Sequence, residues 1–372
     1  MLPRAPKIQR DMHSHHSHSG EFCEHARCSL DQVVAQARQL QFTHFHLSEH
    51  IPRELDHQLY PEEKEAQLTP AKLHDRFVNY LQKARRLQQE YAELTPPMHI
   101  LVGCETENIS SPQSVDFLCR ILGPDHAMDT QIPAPYIGKG SVDYLVGSVH
   151  HAHGIPIDFD YATFQDALRS GVEDPRGGRV SLLENYLDMQ LEVFQRLRPE
   201  VIGHFDLYRL FEPSESWLEN EKIYAKVHRN IRYAASYGAL FEANSAAFRK
   251  GWHMETYPGK GILPIILSVG GRIALSDDSH GVDQVGLNYK HLRDYLMRND
   301  VSVVWRLERD PDTAPSPTIA QMQQSFQRLE LQRDERATTR RPGDQAPLTF
   351  PRGTQAVPTP DWAYAPFWST SR

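Results

Sequence analysis

DMHSHHSHSG (residues 11–20) puts four histidines into six consecutive positions. Such a run is either solvated polar chain or the end of a strand that delivers imidazoles to a metal, and the rest of the sequence decides between them. Further short apolar runs end abruptly in His, Glu or Asp: FTHFHLSEH (42–50), MHILVGCETE (98–107), VDYLVGSVHH (142–151), VIGHFD (201–206), GALFEANS (238–245) and GRIALSDDSH (271–280). Each has the length and abrupt boundary of a buried strand. Between them lie segments of helical period, LDQVVAQARQL (30–40) and LHDRFVNYLQKARRLQQEYAEL (73–94), the latter with Leu73, Phe77, Leu81, Ala84, Leu87, Tyr91 and Leu94 on one face. Strand and helix alternate, which predicts an α/β fold with a parallel sheet, crossover helices and a closed or distorted barrel.

In a parallel barrel the carboxyl ends of all strands open onto one face, so residues far apart in sequence meet there. His13 and His15, His50, Glu105, His150, His204, Asp278 and His280 all stand at such ends. One histidine at a strand end is more often a hydrogen-bonded structural residue. The joint pattern is different, because residues two apart on a strand share a side, and His13 with His15, or Asp278 with His280, can reach one cluster. Imidazoles mixed with carboxylates suit Zn²⁺, Mn²⁺ or Fe²⁺. A regular strand turns His16 away from His13 and His15 and ends before His18, so the expectation rests on the first pair.

With 372 residues, 40% of them hydrophobic, and a net charge of −8, the chain can bury a full core and lacks the basic surplus of a nucleic-acid binder. Four cysteines without CxxC spacing, and no signal-peptide apolar core, lead to the expectation of a reducing, cytoplasmic compartment. No apolar run is long enough to span a membrane. One catalytic domain is expected over residues 8–333. Residues from about 110 to 140 read as a long proline-bearing loop, and residues 334–372 as a disordered or loosely docked tail whose Trp362, Tyr364, Phe367 and Trp368 could dock on the surface.

The motifs DMHSH, FCEH, SEHIPR, GCETE, GSVHHAHGIPIDFD, GHFD, NSAAFRK and SDDSH occur in this order over residues 8–310. In them the chain resembles the polymerase and histidinol phosphatase (PHP) family, closest to its fungal-type histidinol-phosphatase branch. The resemblance implies a distorted (β/α)7 barrel of the PHP type holding three divalent transition-metal ions. It carries metal ligation onto His13, His15, His25, His50, Glu105, His150, His204, Asp278 and His280, preferring Glu105 to Glu107 and Asp278 to Asp277. It further implies hydrolysis of L-histidinol phosphate to L-histidinol and phosphate in histidine biosynthesis, with a metal-activated water and no side-chain nucleophile.

On that reading Asp278, His280 and Arg249 serve catalysis. Arg249, Arg53, His151 and Tyr257 serve substrate binding, and the leaving-group acid lies among His153, Asp158, Asp160 and Asp206. A small-molecule substrate, and neither nucleic acid nor membrane, is the expected partner. A nuclease of the same family, an amidohydrolase-like barrel, a non-enzymatic scaffold of the same family and a phosphoesterase of that family acting on another small phosphate ester are the rivals. The first would need a basic stripe with interleaved aromatics. The second commonly carries a bridging lysine where this chain has Glu105.

Overall fold

The computed structural model describes residues 12–122, 141–170, 178–214, 216–251, 255–312 and 349–369. Five strands form one parallel sheet in the order β3 (Gly103–Glu105), β4 (Tyr144–Gly147), β7 (Val201–Ile202), β8 (Leu240–Asn244) and β9 (Arg272–Ser276). Before them β1 (His13–Ser14) pairs in parallel with β2 (His44–Phe45). Parallel bridges His44–His99, Leu47–Val102 and His50–Glu105 run from the β2 segment to the β3 segment, and Ser17–Ser279 joins the chain after β1 to the chain after β9. Between β4 and β7 a short antiparallel hairpin, β5 (His151–Ala152) with β6 (Ile155–Pro156), turns through His153 and Gly154, both at positive φ. The fold is α/β with a parallel-strand sheet.

The helices form where the sequence gives both a start signal and an apolar stripe. Leu30–Gln39 begins at a capping box of Ser29 with Gln32 and buries Leu30, Val33, Val34 and Ala37. Pro70–Ala92 begins at Thr69 and buries Leu73, Phe77, Leu81, Ala84 and Leu87; Leu94 lies beyond its end and is exposed. The stretch from 110 differs from expectation, because Gln113–Leu122 is a helix that buries Val115, Leu118, Ile121 and Leu122 at i, i+3, i+6 and i+7. The remainder of the expected loop, 123–140, lies outside the described residues. Among the described residues no helix is long and apolar enough to cross a membrane.

The expected tail needs a larger correction. β10 (Val303–Arg309) pairs antiparallel with β11 (Thr354–Pro360) over seven residues. Trp362, Phe367 and Trp368 are buried in the main core, while Tyr364 is exposed. Phe367 packs on Phe42 with ring centroids 5.1 Å apart, and the Trp362 indole N–H donates to the Val301 carbonyl at 3.2 Å. These residues close the core; residues 334–348 of the expected tail lie outside the described ones.

His13 and His15 are also fully buried, on the side of the sheet away from the expected cluster. β9 is the last strand of its sheet, and imidazoles serve its edge where a further ladder would. The Leu275 N–H donates to His13 Nε2 at 3.0 Å, and His15 Nδ1 meets the Leu275 carbonyl at 3.2 Å. The Leu307 N–H of β10 donates to His15 Nε2 at 3.0 Å, so backbone groups occupy both ring nitrogens of His15. Burial, partly opposed by the Leu275 carbonyl, lowers the His15 pKa from 6.5 to about 4. A depressed imidazole stabilises the fold fully above its unfolded pKa and loses that contribution as pH falls through 6.5 towards about 4. The stability advantage of the parent over His15→Gln, measured by urea unfolding, is therefore expected to shrink by about 3 kcal/mol across that window. An unchanged difference would contradict a neutral, backbone-bonded ring.

Candidate metal centre

The carboxyl ends of the parallel strands deliver the donor atoms. His16 and His18 follow β1, His50 follows β2, Glu105 ends β3, His150 follows β4, His204 follows β7, and Asp278 and His280 follow β9. Their ligating atoms gather into overlapping groups: His16, His204 and Asp278; His16, His18 and Glu105; Glu105, His150 and His204; and His18, Cys23, His50 and His280, the atoms of each lying within 4.8 Å of one another. Of the histidines in the opening stretch, the structure brings His16 and His18 into the cluster and leaves His13 and His15 out. The alternation of sides is as expected and its phase is reversed, because the rings of His13 and His15 complete the β9 and β10 backbone.

The donor geometry fits cations. His150 Nε2 and His204 Nε2 are 3.2 Å apart, His25 Nε2 and His280 Nε2 3.1 Å, and His50 Nε2 and His25 Nε2 3.3 Å. Lone pairs aimed at one another at such distances need a proton or a cation between them. His16 Nε2 and both ring nitrogens of His18 are buried without a hydrogen bond. In a polar pocket such orphaned atoms call for an ion.

Carboxylates hold the opposite edges of three of these rings, as metal-bound imidazoles require. His16 Nδ1 meets Glu242 at 3.1 Å, His150 Nδ1 meets Glu107 at 2.8 Å, and His25 Nδ1 meets Glu62 at 2.8 Å. Glu107 also accepts from Tyr60 Oη at 2.7 Å and meets His151 Nδ1 at 3.1 Å. It orients two rings instead of facing the cluster. Asp277 turns away as well, accepting from Ser14 Oγ at 2.8 Å and the Gly286 N–H at 2.7 Å, and burial raises its pKa to about 6. Burial works against charge on Glu105, but the imidazoles of His16, His150 and His50 outweigh it and hold the carboxyl well below its usual range. His16 and His280 do the same for Asp278, whose backbone is left-handed at φ 47°.

The cluster floors an open cleft of about 1090 Å³, counting the solvent at its mouth. Arg249, Lys250, His151, Asp158 and Phe159 are on its walls. Arg249 Nη2 donates to the Asp278 carbonyl at 3.2 Å, which ties the guanidinium to the metal-facing loop. Arg53 does not line the cleft: it is buried against Glu63 at 3.4 Å and stacked 3.9 Å over the Tyr60 ring. Tyr257 is likewise fully buried behind His204, its backbone bridged to Asn244. Of the four candidate acids, Asp158 alone is on the cleft wall. Asp160 caps the helix Tyr161–Arg169, Asp206 binds Arg209 and the Gly259 N–H, and His153 Nε2 contacts Ser181.

A parallel α/β frame with histidine and carboxylate donors converging at its strand ends defines a class, and sequence comparison agrees: the PHP domain family model matches residues 14–246, and the chain belongs to that family. It is 40% identical over 302 residues to a Schizosaccharomyces pombe protein named "Probable histidinol-phosphatase", covering 80% of this chain and 90% of the relative. It is 33% identical over 316 residues to the histidinol-phosphatase of Saccharomyces cerevisiae, covering 77% and 88%. Among solved structures, the hisK protein of Listeria monocytogenes superimposes with a TM-score of 0.59 at 20% identity, over 75% of this chain and 99% of that one. The Lactococcus lactis histidinol phosphate phosphatase, solved with zinc, L-histidinol and phosphate, gives 0.52 at 18% identity over 77% and 93%.

Proposed function

We propose that this chain is a metal-dependent histidinol-phosphatase that hydrolyses L-histidinol phosphate to L-histidinol and phosphate in histidine biosynthesis. The observation that carries the reading is the convergence of buried imidazole nitrogens that make no hydrogen bond, together with ionised carboxylates, beneath a cleft walled by Arg249 and Asp158. The similarity to two fungal relatives over most of their length supports the substrate. We further propose a distorted (β/α)7 barrel, supported by the parallel bridges that link β2 to β3 and β1 to the end of β9.

The ligand set we propose is His16, His18, His25, His50, Glu105, His150, His204, Asp278 and His280, enough for three divalent ions with open positions left for oxygen ligands. Such ions supply Lewis-acid neutralisation of phosphoryl oxygens and acidify water. The chain's own groups do the rest. Arg249 grips the phosphoryl oxygens and offsets charge that grows in the transition state. Asp158, on the cleft wall, offers a carboxylate to the cationic imidazole and ammonium end of the substrate. Glu107, Glu242 and Glu62 fix the tautomers of the rings that hold the ions.

Phosphate release from L-histidinol phosphate, p-nitrophenyl phosphate and single-stranded DNA, measured side by side, tests the reading. The first should be hydrolysed far faster than the others; preference for DNA would favour a nuclease of the same family. Arg249→Ala should lose on the order of 10²-fold in kcat/KM with its metals retained, Arg249→Lys should recover part of that, and phosphate should inhibit the Ala variant more weakly. An unchanged rate and inhibition would remove Arg249 from the site. His16→Ala or His18→Ala should lower both metal content and activity, whereas His13→Ala and His15→Ala should destabilise the fold and leave the metal stoichiometry of the folded fraction intact. Metal analysis giving the reverse pattern would restore His13 and His15 as ligands.

A further inference from the structure

The loop after β1 carries a thiol to the metal cluster. Cys23 is 5% exposed, and its Sγ shares a group with donor atoms of His18, His50 and His280, all within 4.8 Å of one another. His25 Nε2 is 3.3 Å from the same sulfur. Zinc-type bonds place sulfur and nitrogen donors of one ion about 3.6 Å apart, and the 3.3 Å between Cys23 Sγ and His25 Nε2 is close to that separation. The buried Cys104, by contrast, packs in the apolar core. The loop is also preformed: the Cys23 N–H donates to the Ser19 carbonyl at 2.9 Å, and Glu49 accepts from Ser19 N–H and Oγ at 2.8 and 2.7 Å.

We propose that Cys23 is a thiolate ligand of the ion held by His18, His25, His50 and His280, making that position a mixed sulfur and nitrogen site. The inference rests on the metal-dependent reading of the cleft. On coordination the thiol proton leaves to solvent and a sulfur lone pair forms the bond to the cation. A soft thiolate tilts this position towards zinc, iron or cobalt and away from manganese or magnesium. The other donors of the cluster are imidazoles and carboxylates, so this one position would carry a sulfur signature.

The full-length protein, stripped and reloaded with Co²⁺ alone, provides the test, with retained ions counted in the same sample. The expected spectrum has visible ligand-field bands together with a near-ultraviolet sulfur-to-cobalt charge-transfer band. Cys23→Ser should lose the near-ultraviolet band and keep the visible ones, while Cys28→Ser and Cys119→Ser keep both. Bound cobalt without the sulfur band in the parent protein overturns the proposal and leaves the metal-dependent reading standing. A band that persists in Cys23→Ser also overturns it. Failure of the protein to retain cobalt at all overturns both readings. The parent spectrum is decisive even if the Cys23 variant does not fold.

Discussion

Glu105→Gln is expected to lower kcat/KM for L-histidinol phosphate by on the order of 10³-fold and to deplete the bound metal. Its Oε1 lies 3.1 Å from His204 Nε2 and 3.2 Å from the Nε2 atoms of His16 and His150. Its Oε2 lies 2.9 Å from His50 Nδ1 and 3.4 Å from His18 Nε2. The two oxygens therefore face different sets of donors, so Glu105 would hold metal through both of them. Glutamine keeps the volume but replaces one oxygen with an NH₂ that cannot ligate, and it removes the negative charge that the surrounding groups need. Kinetics and metal analysis on one preparation check it. Full activity with full metal loading would show that Glu105 holds no metal.

Deleting residues 349–372 should abolish stable folding, the opposite of what a loosely docked tail would give. The truncation removes the whole β11 ladder, the buried Trp362, Phe367 and Trp368, and Arg352, whose Nη1 is 2.9 Å from the fully buried Glu200. Each large aromatic lost from a core costs about 3–5 kcal/mol, and three exhaust a stability that is typically about 5–15 kcal/mol. Phe42 and Tyr289, which pack against Phe367, would meet water, and the Glu200 carboxyl would stay buried without its cation. Circular dichroism and thermal melting of the shortened chain check this. A cooperative melt within about 5 °C of the parent would mean that these residues only decorate the surface.

The frame and much of the site were legible in the sequence for a physical reason. Runs such as DYLVGSVHH and ALFEANS are apolar because both faces of a parallel sheet are covered, and they stop where the cleft begins. The end-of-run rule therefore led to Glu105, His150, His204, Asp278 and His280, which the structure brings together. It failed on the opening stretch, where one HxH pair directly follows another. Pleat alternation separates His13 and His15 from His16 and His18 but does not say which side meets the cleft. That depends on the β9 and β10 backbone groups that the first pair satisfies, contacts across more than 260 residues. Glu242 carried an unused signal, a carboxylate inside the apolar run ALFEAN. β11 was hidden because TQAVPTP has two prolines and no apolar alternation, tolerable only in a strand with an unpaired edge. Arg53 and Tyr257 are the reverse case, polar groups near the right motifs whose packing turns them away from the cleft.

The most direct test of a catalytic metal centre at the strand ends is phosphate release from L-histidinol phosphate in one preparation before chelation, after it, and after restoring Zn²⁺ or Mn²⁺, with bound ions counted each time. Activity should vanish with the metal and return with it, near three ions per chain. Undiminished hydrolysis by a chain shown to hold no metal would contradict the account.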